Sequence, residues 1–127
     1  MAKQIIMTAN APSSSLYSQG VKVGSTVYVS GMTGVDPATS ELAGPTIEQQ
    51  TTQALRNCEA ILRAGGGSLD DVVQVTVLLA HPDDFAGMNE SYATIFPSEQ
   101  PTRAVTKLGV DLPNVLVSVM MTAHLGD

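Results

Sequence analysis

The alternation of apolar and polar residues predicts a β-hairpin near the start of the chain. Residues 21–23 alternate, Gly24-Ser25 supply a turn, and residues 26–31 are rich in the β-branched side chains that favour strands. Further strands are predicted where short apolar or alternating runs occur, at 3–8, 72–79, 104–108 and 115–123. The second of these runs is apolar on both faces toward its end, which favours a position inside the sheet.

Two longer stretches have the period of amphipathic helices. The first covers 46–64, where Thr46 and Gln49 can form a capping box and Gly65-Gly66-Gly67 stop the helix. Its apolar stripe consists of Ile47, Thr51, Ala54, Leu55, Cys58, Ile61 and Leu62. The second covers 82–96 and ends at Pro97. Its stripe consists of Phe85, Met88, Asn89, Tyr92, Ile95 and Phe96.

The resulting order, β-β-β-α-β-α-β-β, is typical of an α+β fold with the helices packed on one face of a sheet. No linker divides the 127 residues, so we expect a single domain over 1–127. The N-terminal residues do not resemble a signal peptide, and no apolar run is long enough to span a membrane. A cytoplasmic protein is therefore expected.

Charge and composition limit the chemistry further. The net charge of -6, with no basic stripe, argues against nucleic acid as a partner. His81, His124 and a lone cysteine do not make a metal cluster, so no metal is expected. Cys58 lies on the apolar stripe of the first helix, which favours a core residue over a nucleophile. The pairs Asp70-Asp71 and Asp83-Asp84 favour caps over acid–base or metal chemistry.

Arg103 is the strongest candidate for ligand binding. It follows Pro101-Thr102 at the start of a predicted strand, where its planar guanidinium can pair with a carboxylate or phosphate. The simpler alternative is an ordinary surface ion pair. Gly31 ends the hairpin strand and is a candidate for close backbone approach, with a bulge or a strand end as the alternative.

Several short motifs, in this order along the chain, resemble the RidA/YjgF/UK114 family, also called the L-PSP endoribonuclease family. They are Ala11-Pro12, Tyr17-Ser18-Gln19, Val27-Tyr28-Val29-Ser30-Gly31, Asp36-Pro37-Ala38-Thr39-Ser40-Glu41-Leu42, Ser68-Leu69-Asp70-Asp71-Val72-Val73, Met88-Asn89-Glu90 and Pro101-Thr102-Arg103. The resemblance covers almost the whole chain and implies a chorismate-mutase-like α+β fold assembled as a homotrimer, with ligand sites in clefts between subunits.

The resemblance also implies a function. The family hydrolyses reactive enamines and imines, such as 2-iminopropanoate and 2-iminobutanoate, to 2-keto acids and ammonia without a cofactor. By this resemblance Arg103 binds the carboxylate of a small 2-imino or 2-keto acid. Ser30 and Gly31 contact the ligand, and Tyr17 lines the cleft.

The chain departs from the family pattern at the residue that transfers a proton during imine hydrolysis. Active deaminases of the family have an acidic residue on the last strand, and here that position falls on Ser118, or on Met120 if the register shifts by two. Neither side chain can act as a general acid or base at neutral pH. Two hypotheses follow: a deaminase anchored by Arg103, or a weakened or non-catalytic carboxylate-binding trimer with Ser118 in its cleft. The ribonuclease in the family's older name is a third, disfavoured by the acidic charge.

Overall fold

The computed structural model describes residues 2–126. Its strands are β1 (Gln4–Ile6), β2 (Gly20–Val23), β3 (Thr26–Thr33), β4 (Val35–Asp36), β5 (Glu41–Leu42), β6 (Val72–Leu79), β7 (Thr102–Lys107) and β8 (Val117–His124). Its helices are α1 (Ile47–Ala64) and α2 (Phe85–Ile95). The predicted α+β class and order are confirmed, and β4 and β5 are an additional short hairpin.

Helix α1 begins and ends where the sequence predicted. The Thr46 hydroxyl accepts from the Gln49 N–H at 3.2 Å, and the Gln49 side chain accepts from the Thr46 N–H, so the capping box is formed. At the other end the Gly67 N–H donates to the Leu62 carbonyl at 2.8 Å, and Gly66 has a φ of +91° that favours glycine. The whole predicted stripe of α1 is buried.

The six-stranded sheet has the order β1-β2-β3-β8-β6-β7, and only β6 and β7 run parallel. Strand β6 lies between β8 and β7, as its apolar run predicted. Alternate residues of β3, β6 and β8 are buried against the two helices and form the core together with Leu55, Ile61 and Met88. One face of the sheet is therefore covered by both helices.

The opposite face of the sheet is uncovered in the single chain, and we call it the open face. Its large apolar side chains are Ile5, Val21, Val23, Tyr28, Leu78 and Met120. Tyr28 is 52% exposed and Met120 is 46% exposed. Soluble chains rarely leave a contiguous apolar surface of this kind in water unless it meets another surface.

Several sequence predictions on element boundaries and burial need correction. Strand β1 covers only Gln4–Ile6 of the predicted 3–8, and β7 covers Thr102–Lys107 instead of 104–108. Strand β3 does not end at Gly31 but continues to Thr33, because the bulge at Ser30 and Gly31 lets pairing with β8 resume at Met32.

The last strand begins at Val117 instead of 115, because the Leu116 N–H donates to the buried Gln50 side chain at 2.9 Å. The predicted helix over 82–96 is a 3₁₀ turn, Pro82–Asp84, followed by α2. Phe85, predicted to lie on the buried stripe of that helix, is 46% exposed.

Candidate functional site

A β-bulge brings Ser30 and Gly31 next to Ser118. Val29 pairs with Met121 and Met32 with Val119, so Ser30 and Gly31 together oppose Met120. A Cβ atom added to Gly31 would lie 2.9 Å from the Ser118 Oγ, which is closer than ordinary contacts allow. A side chain at position 31 would force the Ser118 hydroxyl to move, so glycine favours this close approach. The bulge that the sequence offered as an alternative is the means by which the approach occurs.

The segment that contains Tyr17 is tied to the same bulge. The Ser30 hydroxyl donates to the Ser18 carbonyl, and the Ser30 N–H donates to the Gln19 carbonyl at 2.9 Å. Tyr17 itself is half-exposed and borders an open depression of about 950 Å³. The structure thus places Ser30, Gly31 and Ser118 side by side, and it ties the backbone that follows Tyr17 to the same bulge.

Gln19 organises the loop before Tyr17, a role that the sequence reasoning missed. Its buried side chain accepts from the Thr8 N–H at 2.7 Å. Its Nε2 atom lies 2.9–3.0 Å from the carbonyl oxygens of Thr8, Ala11 and Pro12. A single amide therefore fixes a loop with little regular structure. The Tyr17-Ser18-Gln19 motif was visible in the sequence, but a side chain's backbone partners are not.

Arg103 lies elsewhere, at the outer strand β7 on the side of the sheet that the helices cover. Its Nη1 donates to the Asn89 Oδ1 at 2.7 Å, and its Cζ lies 4.8 Å from the centre of the Tyr92 ring. Within residues 2–126 the ion pairs join Glu59 to Arg56 and Arg63, and none involves Arg103. The surface ion pair considered for Arg103 is therefore not formed in this chain.

The register of the sheet separates Arg103 from Ser118. Arg103 pairs with Val75, whose side chain is buried under the helices. Ser118 pairs with Leu78 and Thr33, on the open face. Paired residues extend to the same side of a sheet, and side chains alternate along a strand. One chain therefore presents two separate groups of candidate residues and does not bring all five together.

Among residues 2–126 the other reactive side chains do not gather into a metal site. Cys58 is fully buried, its Sγ lies 3.4 Å from the Val119 carbonyl, and burial raises the pKa of its thiol far above the usual range, so it belongs to the core as predicted. Asp71 accepts from the Ser68 N–H at 2.9 Å and acts as a cap. In the described part of the chain no group of three or more His, Cys, Asp or Glu is arranged to hold a metal ion. No helix there is long and apolar enough to cross a membrane.

Comparison with known proteins identifies the family. The model of the family described as Endoribonuclease L-PSP matches residues 8–125. The chain belongs to the endoribonuclease L-PSP family. The resemblance proposed from the motifs is thereby confirmed.

Members of the L-PSP family that are similar to this chain include proteins named as deaminases. The 2-iminobutanoate/2-iminopropanoate deaminase of Mus musculus is 41% identical over 103 residues, covering 80% of this chain and 76% of that protein. RidA from the Antarctic bacterium Psychrobacter superposes with a TM-score of 0.90 at 38% identity, covering 96% of this chain and 99% of that one. TdcF of E. coli with bound serine has a TM-score of 0.90 at 32% identity and covers 97% of this chain and 99% of that one.

Proposed function

We propose that this protein hydrolyses small 2-imino acids to 2-keto acids and ammonia, with Arg103 anchoring the substrate carboxylate. The observation that supports the anchor most directly is the state of its guanidinium. It is exposed, it forms no ion pair within residues 2–126, and its one hydrogen bond uses Nη1. The remaining N–H groups are available for a carboxylate, for which the planar donor fork is well suited.

The proposed site is completed by a second copy of the chain. Arg103 and the group formed by Tyr17, Ser30, Gly31 and Ser118 lie on different sides of one sheet, so one copy cannot surround a small ligand with both. A neighbouring copy that covers the open face can bring its own Arg103 to that group. The family resemblance implies three copies, and closed threefold symmetry would give each cleft the same composition.

The chemistry required at this cleft is modest. Water adds to the imine carbon, the nitrogen takes up protons, and the C–N bond breaks to release ammonia and leave the keto oxygen. The anchored carboxylate fixes the position of the imine carbon. Ser118 and the backbone at Gly31 are the polar groups that can hold the attacking water.

A second candidate function is supported by what surrounds Ser118. Its strand partners are Thr33 and Leu78, and its neighbour across the bulge is Gly31, none of which has a titratable side chain. A site without a general base loses about 100- to 10000-fold in rate. Such a protein would bind small keto or amino acids more effectively than it turns over imines. Cleavage of RNA has less support, because the chain has a net charge of -6.

The test is a coupled assay on the full-length protein. An amino-acid dehydratase or oxidase generates the imino acid in place, and release of pyruvate or 2-ketobutyrate is followed with and without this protein. Acceleration that disappears in Arg103→Ala and is not restored by Arg103→Lys supports the deaminase, since a point charge cannot form the two-pronged contact. Keto-acid binding without acceleration supports the binder. If the protein neither binds keto acids nor accelerates their release, both functions are rejected.

A further inference from the structure

One face of helix α2 surrounds the guanidinium of Arg103. Phe85, Asn89 and Tyr92 are spaced four and three residues apart, so they lie on the same side of the helix. The Arg103 Cζ is 4.8 Å from the centre of the Tyr92 ring and 5.9 Å from that of Phe85. Asn89 supplies the single hydrogen-bond acceptor, at 2.7 Å. Both distances to the rings fall within the range of cation–π contacts.

Tyr92 contributes through its ring and not through its hydroxyl group. The residue is only 7% exposed, and its hydroxyl oxygen is buried without a hydrogen-bond partner in residues 2–126. The ring also packs against Phe96, whose ring centre lies 5.1 Å away. The hydroxyl oxygen of Tyr92 is thus left without a hydrogen bond among the described residues, while the ring contacts Arg103.

Asn89 fixes the guanidinium without neutralising it. A carboxylate in its place would form an ion pair and compete with any incoming anion, whereas an amide oxygen accepts one N–H and leaves the positive charge intact. The hydrogen bond engages Nη1 only, so the edge formed by Nε and Nη2 keeps both of its donors. That edge has the geometry for a two-pronged contact with a carboxylate.

We propose that Phe85, Asn89 and Tyr92 are positioning residues that hold the guanidinium of Arg103 in place before the ligand arrives, with its Nε–Nη2 edge presented to the carboxylate. This inference rests on the proposed function and extends it by assigning α2 a part in ligand recognition. An arginine side chain has many rotamers in water, and an anchor that is fixed in advance loses less freedom on binding.

The proposal makes an unusual prediction for Asn89→Asp. This variant retains the hydrogen bond and adds an attraction, so its thermal midpoint should equal or exceed that of the wild type. Its affinity for pyruvate or 2-ketobutyrate should nevertheless fall about 10-fold or more, because the new carboxylate forms an ion pair with Arg103 and competes with the ligand carboxylate. Thr94→Asp, which adds the same charge to α2 on its exposed side, is the matched control and should bind as the wild type does.

The aromatic part of the proposal is tested with a conservative pair. Tyr92→Leu removes the ring and should weaken keto-acid binding about 10-fold, whereas Tyr92→Phe retains the ring and should recover most of that loss. Calorimetry measures the affinities, and thermal unfolding identifies variants whose fold is damaged.

The outcomes separate this inference from the proposed function. If Arg103→Ala abolishes binding but Asn89→Asp and Tyr92→Leu bind as well as the wild type, Arg103 is the anchor and the positioning role is wrong. If the wild type binds no keto acid, the proposed function fails, and NMR of the Arg103 Nε–Hε group decides the inference without a ligand. A rigid Nε–Hε group that becomes mobile in Tyr92→Leu supports it, and one that is equally mobile in both proteins overturns it.

Discussion

Arg103 and Ser118 belong to the same sheet, yet their side chains extend from opposite faces of it. The intervening strand β6 fixes this relationship, because Val75 pairs with Arg103 and Leu78 pairs with Ser118. Positions 75 and 78 differ by an odd number and therefore point to different sides. The two side chains of a single copy therefore do not face a common cleft.

The first prediction concerns assembly. The protein should be a homotrimer, so light scattering should give about three times the 13.2 kDa of one chain. Tyr28→Lys places a charge in the middle of the open face and should dissociate the assembly, because an unpaired charge is costly to bury. Ala64→Lys adds the same charge at the exposed end of α1 and should leave the trimer intact. A monomer at micromolar concentrations in the wild type would contradict both the trimer and the shared cleft.

The second prediction concerns Ser118. Ser118→Glu should raise the rate of imine hydrolysis about 100-fold or more over the wild type, because a carboxylate can take a proton from the attacking water. The coupled keto-acid assay measures the rate. Ser118→Gln, which has the same shape without the charge, should remain slow. Should Met120→Glu be the faster variant, the acid belongs two residues further along β8.

The third prediction concerns the turn between β4 and β5. Ser40 has a φ of +63°, a conformation that costs a residue with a Cβ atom more than it costs glycine. Ser40→Gly should therefore stabilise the chain by about 0.5–1 kcal/mol, after the greater freedom of glycine in the unfolded state is allowed for. Asn114, at a φ of +64°, is the comparison, and Asn114→Gly should gain less because asparagine tolerates this conformation. Denaturant unfolding measures both, and equal gains would show that strain at Ser40 is not the cause.

The fourth prediction uses the buried thiol of Cys58. Burial raises its pKa, so the folded chain retains a proton that the unfolded chain loses above about pH 8.5. The contribution of the neutral thiol is fully present below that pH and is lost as the pH rises, at about 1.4 kcal/mol per pH unit. In denaturant unfolding between pH 8 and 10, the wild type should therefore lose more stability than Cys58→Ala. Parallel slopes in the two proteins would mean that Cys58 ionises in the folded chain.

The fold was largely predictable from the sequence because its signals are local. The capping box at Thr46, the glycines after Ala64 and the alternation in β6 each act within a few residues, and the structure confirms all of them. The start of β8 was predicted two residues too early. The reason is a contact between residues 66 positions apart, in which the Gln50 side chain takes the Leu116 N–H.

The candidate site was predictable only in part, because its arrangement depends on contacts between residues that are far apart in the chain. The sequence by itself placed Arg103 near the start of a strand, but Gly31, which it predicted to end a strand, lies at a bulge inside β3. That Ser118 takes the place of an acid rests on the family resemblance. The sequence also predicted a common helical face for Phe85, Asn89 and Tyr92, since the period of a helix is a local property. Only the tertiary structure decided that this face meets Arg103 while Ser118 points the other way, because strand order and register are set by contacts between distant segments of the chain.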